Sequence, residues 1–164
     1  MTEFPQGRPG RAKCADRFSE RVESLDGKSS DGFLLWPFMD PEGLMAKGLR
    51  PANFRRAYLE RFALRLSNRA TLVAYHKGRV YGTIATLTHA ELDRLYSEPS
   101  VAAYRPEPVL ARLADGTAEL ALCFNLPTIP DDRTTDPGYV ADLRAIARKV
   151  GLSESYVASI GKDE

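Results

Sequence analysis

A chain of 164 residues, 43% hydrophobic and 27% charged, has the length at which one compact domain buries enough apolar surface to fold alone. Its 23 Lys and Arg residues nearly balance 22 Asp and Glu residues, so a formal charge of +1 draws it neither to nucleic acid nor to a membrane surface. Apolar stretches stay short, as in Ala118 to Phe124 where Glu119 intrudes, which excludes a membrane-spanning helix, and Met1 to Gly10 lacks the apolar core of a secretory signal. A soluble, cytoplasmic protein with reduced cysteines is expected, because neither Cys14 nor Cys123 has a second cysteine nearby.

Met1 to Gly32 is rich in Arg, Ser, Gly, Asp and Glu and is expected to be a polar, partly mobile leader, with Phe18, Val22 and Leu25 at the spacing of a short docking helix. The domain proper is placed at 33–164. Phe33-Leu34-Leu35-Trp36 reads as a buried strand stopped by Pro37. Asp40 is an N-cap candidate before Pro41, so a short helix to about Lys47 is expected, ended by Gly48 and kept from restarting by Pro51. Tyr58, Phe62, Leu64 and Leu66 alternate loosely with polar residues, and a strand is expected from about Arg61. Leu72 to Tyr75 and Arg79 to Leu87, separated by His76-Lys77-Gly78, predict two strands joined by a glycine turn.

Thr88, with Glu91 three positions later, carries the capping-box pattern for a helix over Ala90 to Tyr96, which Pro99 ends. Tyr104 to Leu113 and Ala118 to Leu126 predict a second hairpin around Gly116, with Pro106 and Pro108 confining its start to an edge or a bulge. After a Pro, Asp and Thr loop, the stripe Tyr139, Val140, Leu143, Ile146, Ala147 and Val150 predicts a helix closed by Gly151, and Ser153 to Ile160 a further short one. The whole pattern predicts an α+β domain whose mixed sheet closes into a partial β-barrel with helices packed outside.

Chemistry is sparse. His76 and His89 are the only histidines and neither begins a metal-ligand spacing; a glycine-rich phosphate loop and a Gly-x-Ser-x-Gly elbow are also missing, so neither metal nor cofactor is expected. Cys123, in an apolar strand, is expected to be a small buried hydrophobe. Arg50, Arg55, Arg56, Arg61, Arg65 and Arg69 crowd one segment, which reads as a solvated, partly snorkelling face or as an anion site. Glu98 ends a helix just before Pro99, where a carboxyl can be buried against the mouth of a sheet and fitted for acid/base work, or can simply be solvated. The helix dipole mildly disfavours a glutamate there.

Met39-Asp40-Pro41-Glu42-Gly43-Leu44, Arg69 to Val73, Gly78 to Gly82, the Leu92 to Leu95 helix, Tyr104-Arg105-Pro106-Glu107-Pro108-Val109, Pro137-Gly138-Tyr139 and the Gly151 to Val157 tail follow one another in a familiar order. In that order, over about Phe33 to Ile160, the chain resembles the gamma-glutamylcyclotransferase and AIG2-like family. The resemblance implies a cofactor-free domain in which a Tyr-Gly-Ser-Asn loop offers backbone N–H groups to the substrate's carboxylate and reacting carbonyl. A Glu after the helix takes a proton from the α-amine of a γ-glutamyl compound, and the ring closure releases 5-oxoproline.

Carried onto this sequence, the loop becomes Leu35-Trp36-Pro37-Phe38, followed by Met39, with Tyr104 and Tyr139 as further pocket residues. Trp36 stands where glycine let a ligand approach the backbone, Pro37 deletes an N–H donor, and Phe38 replaces a polar anchor. The implied catalytic residue is Glu98 if one residue is deleted, since an ungapped count falls on Pro99; Phe124 stands where many relatives have Tyr. Three readings follow: a diverged relative that binds a small molecule or a protein partner through this degenerate loop, an active γ-glutamyl-processing enzyme using Glu98, and an anion or nucleic-acid binder using the arginine-rich segment.

Overall fold

The computed structural model describes residues 28–35, 38–132 and 134–162. Within them run β1 (Ser29–Leu34), α1 (Pro41–Ala46), β2 (Ala52–Leu66), β3 (Ala70–Thr88), α2 (His89–Tyr96), β4 (Arg105–Leu113), β5 (Ala118–Asn125), α3 (Pro137–Lys149) and α4 (Glu154–Ser159). The strands form a mixed sheet in the order β1-β3-β2-β4-β5, and the expected barrel closes fully. Closure comes from β1, which pairs antiparallel with β3 from Ser29↔Thr88 to Leu34↔Thr83 and parallel with β5 at Gly32↔Leu122 and Phe33↔Cys123. The strand begins at Ser29 rather than Phe33, because ladder pairing uses backbone groups and does not need the apolar side chains by which the sequence announces a strand. The docking-helix residues Phe18, Val22 and Leu25, together with Cys14, lie outside the described residues.

Two strand expectations are corrected. β2 starts at Ala52, not Arg61, and β3 runs unbroken through His76-Lys77-Gly78. The chain reverses instead at Ser67-Asn68-Arg69, where the Ser67 N–H donates to the Arg69 carbonyl at 3.1 Å. Between the pairs Glu60↔Arg79 and Phe62↔Ala74, Arg61 of β2 alone faces Tyr75 to Gly78 of β3, so the expected turn is a bulge of four residues against one. Gly78 is needed there for space: a Cβ would lie 2.1 Å from the Phe62 carbonyl oxygen. A glycine demanded by close approach reads in sequence like one demanded by a turn.

Alternation along the strands builds the cores. Phe33, Leu59, Val80, Ile84, Val109, Ala111, Ala121 and Cys123 fill the barrel, while Leu34, Ala85 and Leu87 on the other face of β1 and β3 pack with Leu44 of α1 and Leu92 and Leu95 of α2. A third cluster joins Met39 to Leu143 and Ala147 of α3 and Val157 of α4. Thr88 caps α2 as expected: its hydroxyl accepts from the Glu91 N–H, and the Glu91 carboxylate accepts from the Thr88 N–H. Arg55 is no free cation, for its guanidinium pairs with Asp31 of β1 and Glu119 of β5 where the barrel closes.

The start of β3 and the end of β5 are joined by a side chain. Asn125 Oδ1 accepts from the Leu72 N–H at 2.9 Å and the Thr71 hydroxyl at 2.6 Å, and its Nδ2 donates to the Leu72 carbonyl at 3.0 Å. The amide thus takes the place of a strand neighbour for Leu72.

Candidate ligand-binding site

β1 and β5 run parallel and β3 antiparallel to β1, so the ends of β1 and β5 and the start of β3 meet at one end of the barrel. A cavity of about 390 Å³ opens there. Phe33, Leu35 and Phe38 supply one side of its wall, the β2–β3 turn supplies Asn68 to Thr71, and Phe124 and Asn125 come from the end of β5. Tyr96, Ser100, Val101 and Tyr104, from the end of α2 and the segment after it, complete the wall with Tyr139 of α3.

The wall is aromatic. Tyr96 and Phe124 stack at 3.6 Å between ring centroids with 6° between their planes, and Phe38 meets Tyr96 edge-on at 5.5 Å. Tyr104 and Tyr139 close on a single residue: the Tyr104 hydroxyl donates to the Ala70 carbonyl at 2.6 Å, and the Ala70 N–H donates to the Tyr139 oxygen at 3.0 Å. Burial pushes the phenols of Tyr96 and Tyr139 well above the ordinary tyrosine range. The Tyr104 phenol is raised by burial too, against the opposing pull of the Arg69 charge. All three phenols keep their protons at physiological pH and are not bases.

Arg69 is the one charged side chain that lines the cavity among the described residues. It is half-buried at the end of the β2–β3 turn, and among the described residues no carboxylate pairs with it. The turn is held in place by the Ser67–Arg69 hydrogen bond and by the Thr135 hydroxyl, which donates to the Leu66 carbonyl at 3.1 Å.

Of the residues singled out in the sequence, Leu35, Phe38, Tyr104 and Tyr139 come together at this cavity. Trp36 and Pro37 lie outside the described residues. Met39 is placed elsewhere: it is buried against α3 and α4, and its carbonyl accepts from the Thr83 hydroxyl at 3.3 Å. The Phe38 N–H is spent on the Leu35 carbonyl at 2.8 Å. Glu98 lies off the cavity wall, with its side chain 38% exposed and both carboxylate oxygens on Lys47 Nζ at 2.7 and 3.0 Å. The helix-end residue that does reach the cavity is Tyr96, and its spacing of four from Leu92, on the buried face of α2, was the available signal. Arg69 was visible only as one arginine in a crowded run, and Asn125 only as the last polar residue of an apolar strand.

The fold defines a class: a small closed five-stranded barrel with helices packed outside it. That class is the gamma-glutamyl cyclotransferase fold. A solved gamma-glutamyl cyclotransferase superposes with a TM-score of 0.72 at 18% identity, covering 84% of this chain and 89% of that one. An uncharacterized protein from Homo sapiens gives 0.70 at 19% identity, covering 83% and 88%. YkqA from Bacillus subtilis gives 0.64 at 18% identity, covering 86% of this chain and 56% of its own. No family model matches the sequence, and no curated protein matches it significantly. Among the described residues no helix is long and apolar enough to cross a membrane, and no group of three or more His, Cys, Asp and Glu side chains is placed to hold a metal ion.

Proposed function

We propose that this protein is a relative of the gamma-glutamyl cyclotransferases in fold that binds a small molecule in the barrel-end cavity and does not carry out their proton transfer. The observation that carries this reading is the absence of any carboxylate from the cavity wall among the described residues, with Tyr96 entering from the helix end and Glu98 held outside by Lys47. Intramolecular attack of an α-amine on a γ-carbonyl needs a base within hydrogen-bond reach of the amine, and a phenol held above its ordinary range by burial does not serve. Stabilising the developing oxyanion needs free N–H donors. Proline has none, and the Phe38 N–H already belongs to Leu35. What remains is a concave, largely apolar site with a few fixed polar groups, which is the make-up of a binding pocket.

The test is incubation of the purified protein with γ-glutamyl amines and glutathione, with 5-oxoproline as the readout. No product is expected from any of them. Product from any of them would overturn the reading, and its disappearance in Glu98→Gln would point to a γ-glutamyl-processing enzyme with Glu98 as its acid/base.

A further inference from the structure

We propose that the cavity takes an aromatic or flat apolar carboxylate that carries no ammonium group, its carboxylate anchored by Arg69. The inference rests on the binding reading above and names the ligand class for the same site.

Charge is the first argument. Arg69 brings a guanidinium to the cavity wall without a carboxylate partner among the described residues. Two arginines of the same segment are engaged elsewhere, Arg55 by Asp31 and Glu119 and Arg56 by the Gly151 carbonyl, and of the segment's arginines Arg69 is the one on the cavity wall. A half-buried, unpaired guanidinium has lost part of its hydration without a protein acceptor in return. Its planar fork matches a carboxylate through two parallel N–H···O bonds. Arg69 shares the cavity wall with Tyr104, and its charge is near enough to oppose the upward shift that burial gives that phenol.

Shape gives the body of the ligand. The stacked pair Tyr96 and Phe124, with Phe38 edge-on beside it, presents flat π surface, and a volume of about 390 Å³ lies within the range of small-molecule sites. The exclusion of ammonium follows from what the wall lacks. An amino acid or a γ-glutamyl compound brings an α-ammonium, which needs a carboxylate or several carbonyls to replace its water. Here it would meet Arg69, with no carboxylate on the wall among the described residues, and like charges in a low-dielectric cleft repel.

The experiment is isothermal titration calorimetry of the full chain with three probes of equal body: 3-phenylpropionate, 3-phenylpropanamide and phenylalanine. The acid is expected to bind, and the amide and the amino acid to bind about tenfold more weakly or worse. Arg69→Gln, checked for folding by circular dichroism, is expected to abolish the preference for the acid over the amide, and Arg69→Lys to keep only part of it. The inference is overturned if the amide or phenylalanine matches the acid, if none of the three binds, or if Arg69→Gln leaves the preference intact. The wild-type series decides without any variant. Release of 5-oxoproline by the same preparation would overturn the non-catalytic reading instead, and loss of acid preference without 5-oxoproline would overturn only the ligand class.

Discussion

Glu98 and Lys47 form an ion pair across the ends of α2 and α1, with both carboxylate oxygens on one ammonium at 2.7 and 3.0 Å. Lys47 also lies 6.0 Å from the centroid of the Phe38 ring, so the carboxylate that the sequence offers for catalysis is engaged by a lysine beside a cavity-wall residue and is not itself part of the wall. The pair is more than a third exposed on both partners, a setting in which such pairs contribute little. Glu98→Gln is therefore expected to change stability by less than about 1 kcal/mol in urea denaturation and to leave the affinity for 3-phenylpropionate unchanged. A change in that affinity of tenfold would place Glu98 in the site after all.

Asn125 has a larger role. It satisfies both backbone groups of Leu72 and the hydroxyl of Thr71 in a buried position, doing with one amide what a longer β5 would do with a ladder. Asn125→Leu keeps the branched shape with a larger side chain and removes the partners, leaving buried polar groups that each cost about 1–3 kcal/mol when unsatisfied. A loss of about 3 kcal/mol or more is expected from the urea midpoint at constant slope. A near-neutral result would mean that water reaches Leu72.

The sequence made the elements legible where local chemistry decides them. The Asp40-Pro41 start, the Thr88–Glu91 capping box, the Gly116 turn and the α3 stripe each encode their own structure, and each is found in place. Legibility failed where the deciding contact is distant in sequence. Gly78 looked like a turn because its need for space comes from Phe62 across the bulge, and Ser29 to Gly32 looked like leader because β3 and β5, not their own side chains, make them a strand. At the cavity, the aromatic positions Phe38, Tyr104 and Tyr139 could be named from the resemblance. Arg69 and Asn125 could not, since their roles depend on which strand ends meet there.

Two glycines separate space from backbone geometry. Gly82 has an ordinary backbone, but a Cβ on it would lie 2.7 Å from the Leu34 carbonyl oxygen and 2.8 Å from the Phe33 ring, both in the closed wall of the barrel. Gly116 has φ +85° and nothing within 4 Å of where a Cβ would be. Gly116→Ala is expected to cost about 1–2 kcal/mol, the strain of a left-handed non-glycine residue. Gly82→Ala should cost more, because β1 itself must shift. Thermal unfolding of the two variants side by side checks the order, and the reverse order would contradict the β1–β3 packing.

Alkaline pH should unfold the protein through its buried acids. Burial pushes the Cys123 thiol up from 9.0 to about 12 and the Tyr156 phenol from 10.0 to about 12, and the phenols of Tyr96, Tyr104 and Tyr139 move in the same direction. A group whose folded pKa is raised holds its proton longer in the native state, so the unfolded chain ionises first. The corresponding stability is fully present below pH 9 and is lost as pH rises from there toward about 12, with Cys123 first and the tyrosines following above pH 10. In a Cys14→Ser background, Cys123 should be inert to an aromatic disulfide reagent at pH 8 and should react only at the rate of unfolding. Urea midpoints measured between pH 8 and pH 11 should fall steadily, and Tyr96→Phe should flatten the part above pH 10. Rapid labelling of the native thiol at pH 8, or a midpoint independent of pH across that range, would contradict the burial of this end of the barrel.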